Sequence, residues 1–464
     1  MSSNLPQLRD YQEQAIADVQ AAFTRTDRVL LQMPTGAGKT ITFARLARLA
    51  VAAGQRVLII AHREELLSQA SDKLHRETGL TPGLIQGGRK ADYTASLQVA
   101  GIQSLTRRLA YLQPPDLIVI DEAHHCTSSS YLKVLDQYPD ARVLGVTATP
   151  ARTDKNGFDH IFDELVTGPT VKWLIEHGYL SRFKVFADPQ PMQTAGARRT
   201  MGDYSIHDLA DLNDAITLSG NLVESYRRYA DGLKNIIFAL NVEHSIAIAE
   251  RFNAAGIPAR HLDGTSSRED REGTLAAFRA GDIRVLSNCM LFTEGFDVPD
   301  AACCQIARPT ASLGLHLQML GRVLRVAEDK PYSVIIDHTS NWTKGLPDSH
   351  FEWTLEAPPK GEPPALQRGE SGEIIPAPPR PQAVEVEAQL VEVANLDGDA
   401  LTAWRGIWQY LVDVQQSRGY KKSWLMFQLQ KERDVPLEVW RWCAHALGCK
   451  SGWAFYRWRD QNAA

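Results

Sequence analysis

One stretch constrains this chain more than any other: RVLLQMPTGAGKTITFARLARLA, residues 28–50. A short apolar run, RVLLQ, meets a small-residue turn, and the amphipathic stretch Ile41–Ala53 follows at once. A strand that turns through glycines straight into a helix leaves backbone N–H groups at the helix N-terminus without intrahelical partners. The helix dipole is positive there, so the turn is built to receive phosphate oxygens. Pro34, Thr35, Gly36, Ala37 and Gly38 are the candidate cradle. Lys39 is placed to reach the β- and γ-phosphates, and Thr40 to hold Mg²⁺. The spacing departs from the strict pattern in one respect, since Met33 stands where a first glycine would be.

The strand–turn–helix unit is repeated along the chain. RVLII, LQVAG, LIVID and VLGVT are continuous apolar runs that end in polar or glycine signals, the mark of buried parallel strands. Helical patterns separate them, among them Glu64–Thr78. A second set follows: NIIFAL, ARHLDG, IRVLSN, CCQIA and YSVIIDH. The alternation predicts an α/β fold with two tandem parallel-sheet domains of about five strands each, flanked by helices. Domain 1 is read as residues 1–170 and domain 2 as 171–356, with a connector over 171–215. VKWLIEHGYLS, within Pro169–Ser181, is read as a helix leading out of domain 1, and Pro189–Asp214 as irregular with a short helix. Residues 357–400 form a Pro-rich, then acidic linker, because PPKGEPP and PAPPRP block ladders and helices. Residues 401–464 carry seven tryptophans and a basic surplus, and are read as a small, mainly helical module. Its aromatic and basic residues suit either a compact core or stacking on single-stranded bases.

Composition narrows the setting. The net charge of −5 excludes a protein basic throughout, though not a local basic groove. No apolar run approaches the roughly 18 residues a membrane span needs, and the polar N-terminus has no signal-peptide core. Six cysteines without a CxxC pair are read as reduced thiols, with no structural zinc and a cytoplasmic location.

LIVIDEAHH supplies the second chemical signal. It sets Asp121 and Glu122 at the carboxyl end of a parallel strand, the edge at which open α/β sheets bind ligands. Asp121 is placed to hold Mg²⁺ and Glu122 to orient and deprotonate a water. His124 and His125 follow, and a metal role for them is the weaker alternative because phosphate chemistry already explains the cluster.

In this order PTGAGKT, DEAH and TAT (Thr147–Thr149) resemble motifs I, II and III of the DEAH-type superfamily 2 helicases, which are built from two RecA-like domains. The resemblance implies ATP and Mg²⁺ as cofactors and ATP hydrolysis shared by the two domains. It implies an adenine contact at Gln12 of LRDYQ, and a nucleotide contact at His124. AHREEL and GIQSL resemble motifs that touch the nucleic-acid backbone, which implies contacts at Arg63 and Gln103, with others at Thr147 and Thr293. TEGFDVP resembles motif V, implying nucleotide contacts at Gly295 and Asp297. QMLGRVLR resembles motif VI, implying catalytic roles for Gln318, Arg322 and Arg325. Arg322 and Arg325 are three apart and would share a helix face, where guanidinium can stabilise charge on a transferring phosphoryl group.

HLDGTSSREDR, LFTEGFDVP, ARPTASLGLHLQMLGRVLR and GYKKSW together resemble the RadD-like bacterial and phage DNA-repair helicases. That resemblance covers roughly residues 5–340, and the chain lacks the four-Cys element some of those relatives carry. It implies an ATP-dependent DNA helicase or translocase in repair, recombination or phage replication. DNA is the favoured nucleic acid over RNA, and the C-terminal module is a candidate contact for a repair or replication protein. An RNA-remodelling helicase and an ATP-switched remodelling or recruitment protein remain the alternatives.

Overall fold

The computed structural model describes residues 7–61, 67–88, 91–151, 157–187, 194, 196–200, 203–212, 215–291, 301–328, 330–357, 366–368, 374–375, 391–394, 408, 411–412, 415, 422, 425–426, 429, 437–447 and 449. They fall into two compact units, one of residues 1–176 with 350–366, the other of 177–349 with 367–464.

The first unit is an all-parallel sheet. Its strands are β1 (Arg28–Gln32), β2 (Val57–Ala61), β3 (Gly83–Ile85), β4 (Leu97–Gly101), β5 (Leu117–Asp121), β6 (Arg142–Thr147) and β7 (Glu164–Thr167). Their order across the sheet is β3-β4-β2-β5-β6-β1-β7. The central strands are buried along almost their whole length, which is why their sequences are continuously apolar. Helices α1 (Asp10–Ala22), α2 (Lys39–Ala52), α3 (Leu67–Thr78), α4 (Ile102–Thr106) and α5 (Ser129–Gln137) connect or flank them. One core packs Leu30, Ile118, Ile120 and Val143 against Tyr131, Val134, Phe158 and Phe162. Leu355 also packs there, since the segment after the second unit returns to this one. The N–H groups of Phe158 and Asp159 both donate to its carbonyl, at 2.5 and 3.2 Å.

The second unit repeats the plan. Strands β8 (Phe183–Ala187), β11 (Asn235–Ala239), β12 (Ala259–Leu262), β13 (Val285–Asn288), β14 (Cys303–Ala307) and β15 (Ser333–Asp337) run parallel in the order β12-β13-β11-β14-β15-β8. The short strands β9 (Arg199–Thr200) and β10 (Asp203–Tyr204) form a separate antiparallel pair. Helices here include α6 (Val171–Glu176, still part of the first unit), α7 (Ile206–Leu212), α8 (Ala215–Tyr229), α9 (Val242–Ala254), α10 (Arg268–Ala280) and α11 (Leu313–Gly321).

Each sheet has seven strands, not about five. The extra strands are short or lie at edges, where periodicity is weakest. β3 is three residues long, β7 borders the sheet, and β8 lies within the presumed connector. The acidic stretch also contributes: Val391–Ala394 pairs antiparallel with β8 at the sheet's edge. Between the two proline clusters, Gln367 and Arg368 pair with Ile375 and Ile374. Proline blocks a ladder only where it stands, and LQRGESGEII contains none. In the C-terminal stretch Trp440 is fully buried with Leu425, Leu429, Val439 and Cys443, and Trp408 and Trp442 pack alongside. Those tryptophans build a core.

Gly145 shows how closely the first sheet is packed. A Cβ there would lie 2.3 Å from Phe162 Cζ and 2.8 Å from Leu30 Cδ1. Gly145→Val should cost about 1–3 kcal/mol by overpacking. Thermal unfolding checks this, and an unchanged midpoint would mean that Phe162 can move aside.

Candidate active site

The site is built where β1, β5 and β6 end. β6 lies between the other two, with Gln32 opposite Thr147 and Asp121 opposite Val146. Three chain turns therefore leave the same edge side by side. Strands in a sheet are spaced about 4.8 Å apart, so the turns after β1 and β5 start about 10 Å apart.

The turn after β1 is shaped by its glycines. Gly36 and Gly38 have φ of 88° and 84°, a left-handed conformation that only glycine adopts without penalty. The N–H of Ala37 donates to Pro34 O at 3.1 Å and closes the turn. Those of Ile41 and Thr42 donate to Gly38 O and open α2. Gly38 is the N-cap of α2 and offers no side chain to it. Met33 explains its own departure from the usual spacing. It is fully buried, its N–H extends the β6 ladder to Thr147 O at 3.0 Å, and a Cβ on Gly168 would sit 3.0 Å from Met33 Cγ. That position anchors the loop and does not turn it.

The start of α1 braces the same loop. Gln12 Oε1 accepts from the Arg9 N–H at 3.0 Å, while Gln12 Nε2 and Tyr11 Oη donate to Ala37 O at 3.2 and 3.0 Å. Gln12 and Tyr11 are both buried, and Tyr11 packs edge-on against Trp173. The Gln12 amide thus stands directly over Gly38, where a Cβ would come within 2.3 Å of Nε2. Tyr11 went unnoticed in the sequence, although its place beside Gln12 in LRDYQ was a usable signal.

The carboxylates sit on a strained corner. Glu122 has φ 49° and ψ 54°, a left-handed conformation that costs a residue with a Cβ on the order of 1–2 kcal/mol. Its N–H donates to Asp121 Oδ1 at 3.0 Å. His124 Nδ1 lies 3.5 Å from Glu122 Oε2 and 3.4 Å from Thr147 Oγ1. Thr147 Oγ1 in turn donates to Thr149 O and accepts from the Thr149 N–H. His124 therefore links the DEAH turn to the TAT turn, and the His125 ring packs 4.1 Å from it. Gln32, a buried amide also missed in the sequence, donates to Ala148 O at 2.9 Å and ties the ends of β1 and β6. Among the described residues no three His, Cys, Asp or Glu side chains gather as ligands for a metal.

The residues assigned to nucleic acid divide. Gln103 is exposed at the end of β4, in the first turn of α4. Thr147 has no exposed surface, and its hydroxyl is committed to the TAT turn and His124, so the expected nucleic-acid contact there is corrected to an internal link. Arg63, Thr293, Gly295 and Asp297 lie outside the described residues.

In the second unit Gln318 is buried in α11. The helix ends at Gly321, which corrects the expectation that Arg322 and Arg325 share a helix face. Arg322 is its buried C-cap, and Arg325 lies beyond it in an antiparallel bridge with Leu180. Beyond the helix the backbone pairs instead with the chain that enters this unit: the Ser181 N–H donates to Leu324 O at 2.7 Å beside the Leu180 bridge, while Lys330 Nζ holds the carbonyls of Val323 and Arg325.

The first unit's edge fits a nucleotide phosphate chain. Residues Pro34–Thr40 form a turn held open by positive φ at Gly36 and Gly38, leading into a helix N-terminus, with a hydroxyl at Thr40 and carboxylates two strands away. Residues 5–152 match the family described as Type III restriction enzyme, res subunit, and residues 218–327 match the Helicase conserved C-terminal domain. A 51.5 kDa protein of a Lactococcus phage is 36% identical over 327 residues, covering 70% of this chain and 68% of that protein. A Saccharomyces cerevisiae protein provisionally named ATP-dependent helicase IRC3 is 29% identical over 356 residues, 72% of this chain. The match spans only 51% of the yeast protein's length. The DNA 3'-5' translocase XPB2 of Sulfurisphaera tokodaii is 24% identical over 367 residues, covering 69% of this chain and 79% of that protein. The fragment structure of a protein provisionally assigned as an HsdR subunit of a type I restriction enzyme from Vibrio vulnificus shares the fold. Its TM-score is 0.56 at 22% identity, over 72% of this chain and 65% of that one.

Gly38→Ala places a methyl group on the Gln12 amide at a positive φ. The lost conformation alone should weaken ATP binding roughly tenfold, measured by calorimetric titration. Adding Gln12→Ala should recover part of the loss by removing the clash while leaving the backbone strain. Unaltered affinity in Gly38→Ala would mean that the loop can reshape freely.

Proposed function

The chain belongs to the superfamily 2 helicases, and on that premise we propose that it couples ATP hydrolysis to movement along DNA. The observation that carries this reading is the meeting of the Gly36–Thr40 cradle and the Asp121–Glu122 carboxylates at one sheet edge. Lys39 binds the β- and γ-phosphates, and the backbone of Thr35–Gly38 cradles them. Thr40 and Asp121 hold Mg²⁺, which when bound neutralises charge on the phosphate oxygens. Glu122 orients the attacking water and takes its proton, and the strained corner keeps its carboxylate in one place. His124 relays the state of that carboxylate to the TAT turn. Arg322 and Arg325 supply the cationic charge that stabilises the transferring phosphoryl group. Gln103 and Arg63 contact the nucleic-acid backbone.

Three finer points belong to the same reading. The carboxylate motif DEAH supports the DEAH type. Its wider pattern resembles the RadD-like branch, which supports a role in DNA repair, recombination or phage replication, and the Lactococcus phage relative supports a phage setting. DNA is preferred to RNA as the track on the strength of that pattern and of the translocase among the relatives.

Lys39→Ala should abolish turnover by removing the phosphate contact. Glu122→Gln should lower kcat by about 10²–10⁴-fold while leaving ATP affinity near that of the parent protein, since general-base catalysis is what it loses. Substantial hydrolysis by Glu122→Gln would sink its assigned role. ATPase assays with single-stranded DNA, duplex DNA and RNA, followed by strand displacement on the best stimulator, test the track. Stronger stimulation by RNA would overturn the DNA reading. Stimulation without displacement or translocation would leave an ATP-switched remodelling protein.

A further inference from the structure

Lys330 is a buried lysine in the second unit that the chemistry above does not use. Its ammonium has three N–H donors, and three backbone carbonyls receive them: Ala301 at 2.9 Å, Arg325 at 2.6 Å, and Val323. Ser333 Oγ donates to the same Val323 carbonyl. The carbonyl between them points the other way. Leu324 O accepts from the Ser181 N–H at 2.7 Å, beside the bridge of Leu180 with Arg325.

This is the alternation of an extended strand, in which carbonyls at i and i+2 share a side and the one between faces opposite. On the Lys330 side, among the described residues, one ammonium and one hydroxyl donate to this segment. The segment Val323–Arg325 is pinned on both sides, with the second strand supplied where the chain enters this unit. Pinning the backbone fixes where the side chains of a strand project. Val323 and Leu324 are buried, and Arg325 is left half-exposed. Arg322, directly before the segment, has its backbone held between the end of α11 and the first pinned carbonyl.

We propose that Lys330 is a positioning residue for the two arginines: its ammonium grips the carbonyls of Val323 and Arg325 and so holds Arg322 and Arg325 in the geometry their chemistry requires. The same ammonium also holds the Ala301 carbonyl at the start of β14's approach. The inference rests on the reading that Arg322 and Arg325 act on the phosphoryl group. Lysine suits the task because its compact, rotatable ammonium can address three carbonyls at different angles, which the planar guanidinium fork cannot do.

The test measures steady-state ATP hydrolysis by the full chain, with the best nucleic-acid stimulator, for Lys330→Met, Lys330→Arg, Ser333→Ala, Arg322→Ala and Arg325→Ala. Thermal unfolding and ATP binding are followed alongside. Lys330→Met should lower kcat by about 10²-fold, the size expected when catalytic groups are displaced by about an ångström. KM for ATP should stay within a few-fold of the parent, because the phosphate cradle is untouched. Lys330→Arg should not restore kcat, although it keeps the charge. A merely structural lysine would instead lower the unfolding midpoint and reduce activity only in proportion to the folded fraction. If Lys330→Met does not fold, Ser333→Ala carries the test, with a smaller kcat loss at unchanged KM. Parent kcat in a folded Lys330→Met, or in Ser333→Ala where Lys330→Met fails to fold, overturns the proposal. If Arg322→Ala and Arg325→Ala both turn over ATP like the parent, the reading of the arginines fails first, and the positioning role fails with it.

Discussion

The first unit depends on β6 lying between β1 and β5 in an all-parallel sheet. Parallel pairing sends all three strands out of the same edge, so three loops far apart in sequence begin side by side. The pairing is specified by burial on both faces, which makes LIVID, RVLLQ and VLGVT continuously apolar up to their last residue. The polarity switches at that residue: Gln32, Asp121 and Thr147 end their strands. A register slip would move these groups along the edge and separate the phosphate cradle from the carboxylates.

At that edge the polar side chains first bond to each other. Gln32 joins β1 to the Ala148 carbonyl, Met33 joins it to Thr147, and His124 spans Glu122 and Thr147. Gln12 and Tyr11 hold the cradle from the other side through Ala37. These bonds fix the loops before any ligand arrives, so a ligand has less ordering entropy to overcome. They also explain why Glu122 can persist in a left-handed conformation, since unfavourable backbone survives only where its surroundings over-determine it.

Much of this was legible in the sequence, and the failures share a cause. Strands buried on both faces stood out because each one needs five or so apolar residues in a row. β3, β7 and β8 did not, since a short or edge strand is specified by its neighbour more than by itself. The position of Asp121 and Glu122 was legible because the apolar run LIVI ends where the strand ends. The internal commitment of Thr147 was not, because whether a hydroxyl faces solvent or a neighbouring loop depends on which strand lies next to it. Arg322 and Arg325 were given a shared helix face because spacing of three is a helical signal. Beyond Gly321 the chain pairs with Leu180 and Ser181 instead, and spacing on one segment cannot register a partner supplied from elsewhere in the sequence. The tryptophans were legible as a group, and Trp440 resolves toward a core because its neighbours Leu425, Leu429 and Val439 are apolar.

The two units share a plan, and they differ where a central strand enters its helix. In the first, β1 enters α2 through Gly38, whose missing side chain leaves the helix N-terminus uncapped from within. In the second, the central strand β11 enters α9 through Asn241, whose Oδ1 accepts from the His244 N–H at 2.7 Å. That carboxamide occupies the place a phosphate oxygen would take. The carboxylates at the second sheet's edge are likewise committed to their own turns. Asp263 receives the N–H groups of Thr265 and Ser266, and Asp337 those of Thr339 and Trp342. Burial pushes the Asp337 carboxyl up to about 6. The difference lies in one residue where each of these strands meets its helix: hydrogen at Gly38, a carboxamide at Asn241.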